Sequence, residues 1–216
     1  MAYRETEKMR RRKAATRERL LQAAERLVRR GGFAALQVQA LAAEADLGVG
    51  TVYRYFRGRD ELAAEVFRRA TEREVAALAE ALSVPGPPLA RLQHGLAVFA
   101  RRALRAPRLA RALIAEPVSS ALDEQRLHYR EEYAWLFRDL LHEAISAGHL
   151  PDQPADLAAH ALVGALAEPL AGPLADPDSG DDAVAALCRF CLRAVGAPVE
   201  SVASTAIEPL EVSHEG

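Results

Sequence analysis

The stretch LAAEADLGVGTVYRYFRGRDEL, residues 41–62, decides how the whole chain is interpreted. It predicts two short helices joined by a tight turn over Asp46–Gly48, because aspartate and glycine suit turn geometry. Aromatic and arginine side chains then occupy every position from 53 to 57. A short soluble element seldom carries such a run unless the side chains contact something. The sequence therefore raises the question of what this element binds.

A helical wheel separates the second short helix, residues 49–56, into two faces at about 100° per residue. The face that we expect to pack inside the domain holds Val52, Tyr53 and Phe56. The opposite face is polar, aromatic and cationic, and holds Gly50, Thr51, Arg54 and Tyr55. A helix of this kind after a tight turn is typical of a helix-turn-helix, whose second helix enters the major groove of DNA. The alternative is an ordinary helical hairpin with a solvated polar face.

The composition favours an all-α protein, because alanine and leucine dominate the 216 residues and β-branched residues are sparse. No apolar run approaches the roughly 18 residues that a membrane span needs. The N-terminal charges are not followed by the apolar segment of a secretory signal. We therefore expect a cytoplasmic protein with no membrane contact.

Charge is unevenly distributed along the chain. Residues 1–60 hold 14 Lys and Arg against 7 Asp and Glu, a net of +7, whereas the remainder holds 14 against 23, a net of −9, giving −2 in total. A basic end attracts a polyanion such as DNA. We predict a basic flexible arm over 1–13, although its RRRK run at 10–13 is equally consistent with a solvated tail.

Glycine and proline divide the rest of the chain into helices. Helices are predicted at about 14–30, 38–45, 49–55, 59–82, 88–105, 107–115, 119–147, 154–172 and 180–195. The strongest break is SVPGPP at 83–88. The predicted organisation is a three-helix helix-turn-helix domain at 14–60, a larger helical ligand-binding and dimerisation domain at 61–196, and a disordered tail at 197–216.

Roughly residues 14–67, including LLQAAERLVRRGGFAALQ, VGTVYRYF and RDEL, resemble the DNA-binding domain of the tetracycline-repressor (TetR) family. The resemblance implies a homodimer that sets two reading helices in successive major grooves of a near-palindromic operator. It also implies a small-molecule effector that changes their spacing. Carried over by position, it implies DNA contacts from Gln39, Val49, Gly50, Thr51, Tyr53, Arg54, Tyr55 and Arg59. The chain departs from the common family pattern at Gln37, Asp46 and Gly48.

An effector pocket is predicted around the long helix at 119–147. Aromatic and aliphatic side chains from this helix and its neighbours form the candidate lining, namely Phe99, Leu113, Tyr129 and Tyr133. They can equally be plain core, but the tyrosine hydroxyls need partners that a pocket supplies. Glu116 is a further candidate, with a surface carboxylate as the alternative. Because we identify no inward-facing lysine or arginine, we expect an uncharged or weakly charged, largely apolar effector. If anionic ligands act instead, Arg102, Arg105 and Arg130 become the candidate contacts.

Dimerisation is predicted through the last two helices, because their alanine- and glycine-rich faces allow close helix approach. Two helices from each subunit would form a four-helix interface. The candidate residues are His160, Val163, Ala165, Leu166, Leu187, Phe190 and Cys191. The alternative is that these faces pack only within the chain.

Nothing in the sequence points to catalysis. No catalytic triad or phosphate-binding loop is present, the six histidines have no metal-ligand spacing, and Cys188 and Cys191 alone make an incomplete metal site. We therefore predict no cofactor and no bound metal. The predicted function is a DNA-binding transcriptional regulator released by its effector, most simply a repressor. The alternative is an activator or a regulator that answers to a protein partner.

Overall fold

The computed structural model describes residues 7–174 and 180–198. Within these ranges the chain forms nine α-helices and one 3₁₀ turn, with no strand. The helices are α1 (Glu7–Gly31), α2 (Val38–Glu44), α3 (Val49–Tyr55), α4 (Arg59–Leu82), α5 (Pro88–Arg105), α6 (Pro107–Ile114), α7 (Ser120–Ser146), α8 (Ala155–Ala171) and α9 (Asp181–Ala194); the 3₁₀ turn is Phe33–Ala35. The predicted all-α fold is confirmed, and most predicted helix ends lie within two residues of the observed ones.

The breaks in the sequence have clear conformational causes. Gly32, the residue that follows α1, has a φ of +68°, a left-handed conformation that favours glycine and ends the helix. Asp46, in the turn between α2 and α3, has φ +49° and is the non-glycine residue with positive φ in the described chain. Aspartate tolerates this conformation better than most side chains. Pro88 and Pro107 each stand at the first position of a helix, where a missing N–H costs nothing.

The first helix starts earlier than predicted. Residues 7–13, expected as part of a flexible arm, are the first two turns of α1. The Glu7 and Arg11 side chains form an ion pair one helical turn apart, which supports this end of the helix. Residues 1–6 of the predicted arm and 199–216 of the predicted tail lie outside the described residues. The first residue of that tail, Ala197, is buried, and its N–H donates to the carbonyl of Leu192.

The described residues form two hydrophobic cores, and α4 contributes to both. The first is built mainly from α1–α3 and the first half of α4, as far as Ala70. The second begins at Leu78 and joins the end of α4 to α5, α7, α8 and α9. Residues from α6 and α7 also enter the first core, namely Leu109, Ala112, Leu122 and Tyr129. The predicted domain boundary at residue 60 stays a prediction, but α4 passes through it without interruption.

Helices α7 and α8 pack extensively on one another, and α5 packs on α4 and α9. Cys188 and Cys191 lie fully inside this second core, and burial raises their pKa values to about 11 and about 12. Both thiols are therefore neutral core residues. None of the helices described is long and apolar enough to cross a membrane.

Candidate DNA-binding surface and ligand cavity

Helix α3 presents an exposed surface that comprises Val49, Gly50, Tyr53 and Arg54; we call it the α3 surface. Val52 on the opposite side is buried and anchors the helix on the first core. Arg54 Nη2 donates to Thr51 Oγ1 at 3.1 Å, which orients the guanidinium along the helix. No side chain comes within 4 Å of a Cβ built on Gly50, so another backbone can approach there closely. The surface is narrow, aromatic and cationic, as a major-groove helix requires.

The structure corrects the orientation expected for two tyrosines. Tyr53, placed on the inward face by the helical wheel, is 54% exposed. Tyr55, placed on the outward face, is partly buried and packs against the first core. The reason is that Phe56, which drew the expected apolar face towards Tyr53, lies outside α3 in an extended conformation. Its ring therefore reaches the core independently of the helix.

Ion pairs from α1 hold the end of α2 in place. Arg26 Nε of α1 donates to the carboxylate of Glu44 at the end of α2 at 2.8 Å, and Arg30 pairs with the same carboxylate. Hydrogen bonds from Arg30, and then Arg26, lower the pKa of Glu44. Gln39, on α2, remains exposed.

Arg59 has an internal role in addition to its predicted phosphate contact. Its Nη2 donates to the carbonyl of Phe33 at 2.9 Å and its Nε to the carbonyl of Leu36 at 3.2 Å. The guanidinium thus fastens the start of α4 to the 3₁₀ turn. The side chain is still exposed, so a guanidinium N–H remains accessible for a phosphate, and that contact stays a prediction.

A cavity of 260 Å³ lies between α4, α5, α6, α7 and α8. Four of the five predicted effector residues line it, namely Phe99, Leu113, Tyr129 and Tyr133. Phe99 and Tyr133 meet edge to face at 5.4 Å between ring centroids. Burial raises the pKa of the Tyr133 hydroxyl well above its usual value, so this group is a neutral hydrogen-bonding tip. These four residues therefore line a cavity and also pack in or against the two cores, and their contact with an effector stays a prediction.

The charge of the lining contradicts the expectation of a pocket without inward cations. Five arginines from α1, α5 and α7 line the cavity, namely Arg29, Arg102, Arg105, Arg126 and Arg130. Among the described residues of the lining, one acidic side chain, a glutamate, opposes them. Arg102 pairs with that glutamate, Glu74, at 2.6 Å. Within residues 7–174 and 180–198, Arg105 and Arg130 form no hydrogen bond or ion pair. The cavity therefore combines apolar walls with uncompensated positive charge.

Comparison with known proteins agrees with this geometry. Residues 20–66 match the family of bacterial regulatory proteins described as the tetR family. Residues 20–66 therefore form a DNA-binding domain of the TetR type. The match covers α3 and its supporting helices, including every residue predicted to contact DNA.

Among the relatives of this chain is the HTH-type transcriptional repressor KstR of Mycolicibacterium smegmatis, 35% identical over 97 residues. That match covers 45% of the chain and 48% of KstR, so the chain spans about half the length of this relative. A TetR-like transcriptional regulator from Rhodococcus sp. RHA1 superposes with a TM-score of 0.64 at 26% identity over 83% of this chain and 95% of that one. The regulator FadR of Bacillus subtilis, solved in complex with stearoyl-CoA, has the same fold, with a TM-score of 0.69 at 17% identity over 83% and 97%.

Glu116, a predicted effector contact, lies outside the lining of the cavity and is engaged elsewhere. Its carboxylate accepts hydrogen bonds from the backbone N–H groups of Phe33, at 2.8 Å, and Ala34, at 2.9 Å. A Cβ on Gly32 would lie 2.4 Å from Glu116 Oε2, so a side chain there would displace the carboxylate, and the φ of +68° independently favours glycine. The loop after α6 is thereby attached to the 3₁₀ turn that precedes α2. The sequence signal was the glycine pair at 31 and 32, which indicated a helix end but no partner.

Arg126 connects the Glu116 loop to the cavity that it lines. Its Nε donates to the carbonyl of Leu113 at 2.9 Å, and its Nη2 to the carbonyl of Glu116 at 2.8 Å. These bonds satisfy carbonyls at the C-terminal end of α6. Burial lowers the pKa of Arg126 from its ordinary value, although the group stays protonated. Cavity, α6 end and 3₁₀ turn are therefore joined by consecutive charge-assisted hydrogen bonds.

The predicted dimer residues fall into two groups. Leu166, Leu187 and Cys191 are buried inside the second core, so, contrary to the prediction, they have no surface to offer a partner. Ala165 packs against that core but is partly exposed, so its contact with a partner stays a prediction. Val163 is partly buried and faces the cavity. His160 and Phe190 are exposed, Phe190 by 59%. The error arose because α8 and α9 are apolar on nearly every side, and the sequence alone does not show which side faces the core.

The sequence led us to predict no bound metal, and this stays a prediction. In residues 7–174 and 180–198, no three histidine, cysteine, aspartate or glutamate side chains are grouped so that they could hold an ion.

Proposed function

We propose that this chain is a transcriptional repressor that binds operator DNA as a homodimer and is released by a small-molecule effector. The α3 surface carries this proposal, because an exposed Tyr53–Arg54 pair on a buried scaffold matches the needs of a major-groove helix. The KstR relatives, which are named repressors, support repression over activation. A protein that binds chromosomal operators acts in the cytoplasm.

Arg54 is the side chain that we expect to read a base. Replacing Arg54 with alanine should weaken binding to the selected operator about tenfold more than binding to random DNA, since a good bidentate base contact is worth about 1 to 3 kcal/mol of discrimination. Fluorescence anisotropy on both DNAs measures the difference. Arg111→Ala, which removes an exposed arginine on α6, is the matched control. Equal losses on the two DNAs would assign Arg54 to phosphate binding instead.

The exposed faces of α8 and α9 support a homodimer. Leu157, Ala161 and Gly164 follow one another at helical spacing on α8 and are all exposed, with Leu157 at 69%. Phe190 lies between the exposed residues Ala186 and Ala194 on α9. Outside the backbone of α8 itself, no atom of the described residues comes within 4 Å of a Cβ built on Gly164, so a partner helix has room for close approach. Two such helices from each subunit would make a four-helix interface.

The cavity supports an amphipathic effector with an apolar chain and an anionic group. Its apolar walls suit a hydrocarbon chain, and Arg105 and Arg130 supply positive charge without a protein partner in the described residues. An acyl-CoA thioester has this combination, and the FadR neighbour was solved with stearoyl-CoA. This proposal replaces the expectation of an uncharged effector.

The contacts at Glu116 supply a route from the cavity to the DNA-binding helices. A ligand that shifts Arg126 or the end of α6 also shifts the Glu116 carboxylate, which holds the N–H groups of the 3₁₀ turn. Because α2 begins directly after this turn, α2 and α3 would move with it. The effector must bind the displaced state more tightly, since equal affinity for both states shifts nothing.

Removing this contact should uncouple effector binding from operator release. For Glu116→Ala, we expect the effector-induced loss of operator affinity to fall about tenfold, a change of about 1.4 kcal/mol in coupling free energy. Effector affinity of the DNA-free protein should change less than threefold, because Glu116 lies outside the cavity lining. Operator titrations with and without decanoyl-CoA, together with calorimetry without DNA, measure both quantities.

Glu124→Ala, an exposed glutamate of α7, controls for lost negative charge. If Glu116→Ala keeps the wild-type ratio of operator affinities with and without effector, the coupling does not pass through Glu116.

A further inference from the structure

Thr71 of α4 is a buried hydroxyl residue without a hydrogen-bond partner. Its side chain is 4% exposed, and its Oγ1 is inaccessible and makes no hydrogen bond. Among the described residues, Thr71 is the one polar residue that is buried with the hydrophobic core side chains. It also lines the cavity. Buried polar groups in proteins nearly always have a partner, and an orphaned one costs about 1 to 3 kcal/mol.

The surroundings explain why the protein itself does not satisfy this hydroxyl. A threonine within a helix commonly donates to the carbonyl four residues earlier, here that of Phe67, but Oγ1 makes no such bond. The ring of Phe67 packs against Tyr129 at 5.9 Å between centroids, and Phe99 and Tyr133 close another part of the wall. Most of the wall near Thr71 is carbon. A hydroxyl without a partner would not be expected there if this wall served only as hydrophobic core.

Because no hydrogen bond holds Oγ1, rotation about χ1 can exchange it with the methyl group and turn it towards the cavity. We infer that Thr71, in this rotated position, recognises an oxygen atom within the buried, otherwise apolar part of the effector. The chemical class is thus a carbonyl- or hydroxyl-bearing hydrocarbon with an anionic group, as distinct from a plain saturated acyl chain. A hydroxyl suits this role because it donates to a ligand carbonyl or accepts from a ligand hydroxyl. The inference rests on the proposed effector role of the cavity, and it adds the specificity that the arginines alone do not supply.

The size of the cavity sets the choice of probes. Its 260 Å³ corresponds to about nine units of the roughly 30 Å³ that a water molecule occupies in the liquid, and a methylene group needs a similar volume. Decanoic acid therefore serves as the plain parent probe, and its mono-oxo and mono-hydroxy derivatives, with the oxygen placed at successive positions along the chain, serve as the oxygenated probes. Calorimetry on the DNA-free protein measures binding of each.

For the wild-type protein, we expect at least one oxygenated probe to bind about tenfold more tightly than decanoic acid. In Thr71→Val, which has the same shape but no hydroxyl, that preference should disappear, while decanoic acid binds at least as well as before. Thr71→Ser keeps the hydroxyl and should retain most of the preference, which separates recognition from a packing effect. Circular dichroism and thermal melting verify that each variant is folded.

Two results would overturn the inference. One is that no oxygenated probe binds wild type better than decanoic acid. The other is that Thr71→Val keeps the preference unchanged. Operator release is measured separately, so probes that bind with the expected Thr71 dependence but leave the protein on DNA would support recognition by Thr71 and count against the proposed release mechanism.

Discussion

Phe190→Glu is expected to convert the proposed homodimer into monomers and to lower operator affinity by about two orders of magnitude. A carboxylate in the middle of a buried helix–helix contact would lose its hydration without gaining a partner, at a cost of several kcal/mol. A monomer then holds one half-site, and the gain from binding two linked half-sites, on the order of 10² to 10⁴, is lost. Because Phe190 is 59% exposed in the single chain, the change should leave the subunit folded.

Sedimentation velocity and operator anisotropy measure the two effects. Phe190→Leu, which stays apolar, is the matched control and should remain dimeric. Gly164→Arg tests the α8 half of the same surface with a different chemistry. Leu187 is unsuitable for this purpose, because it is 6% exposed and a charge there would disrupt the second core. If Phe190→Glu and Gly164→Arg both sediment as stable dimers, the subunits associate through another surface.

Reversing two charges at the cavity should have the second large effect. In the double variant Arg105→Glu/Arg130→Glu, we expect the concentration of decanoyl-CoA needed for operator release to rise about 100-fold. Each charge-assisted hydrogen bond to an anion contributes about 1.5 to 3 kcal/mol, and the new carboxylates repel the ligand. Both arginines are exposed, so their replacement should cost little stability.

Two controls separate the loss of anion binding from general damage to the cavity. Decanol, which has no anionic group, should bind wild type and the double variant within about threefold of one another in calorimetry. Arg111→Glu reverses an exposed charge on α6 outside the cavity lining. Parallel losses for decanol and decanoyl-CoA would indicate a damaged cavity, and unchanged release by decanoyl-CoA would contradict the anionic effector.

Local sequence signals were sufficient for most helix ends, although not for the start of α1. The ends of α3 and α5 were predicted correctly because glycine and proline act on the backbone within one turn of their own position. The turn at Asp46 was also predicted, and its φ of +49° has a local cause. The orientation of Tyr53 was missed because a helical wheel assumes that Phe56 continues the helix, whereas the backbone leaves helical geometry at that residue.

Features that depend on distant parts of the chain could not be read in the same way. Arg29 and Arg130 are separated by 100 positions, yet both line one cavity, since long flexible side chains reach past their own helix faces. The bonds of Glu116 to the N–H groups of Phe33 and Ala34 join segments more than 80 residues apart. No periodicity records such contacts. The aromatic wall at Phe99 and Tyr133 was found because both residues lie on strongly amphipathic or long helices whose inward side was correctly identified.

The sharing of the first core between distant helices limits how this regulator can be recombined with others. A chimera that joins residues 1–60 to the effector domain of another family member would leave Leu62, Val66 and Phe67 behind, together with Leu109 and Tyr129, all of which fill that core. A junction between Ala70 and Leu78, where α4 passes from one core to the other, keeps the α1–α4 part of the first core intact. The incoming domain must still offer apolar side chains in the places of Leu109, Ala112, Leu122 and Tyr129. Exchange of DNA specificity alone is therefore better made by grafting the α3 surface onto the existing scaffold.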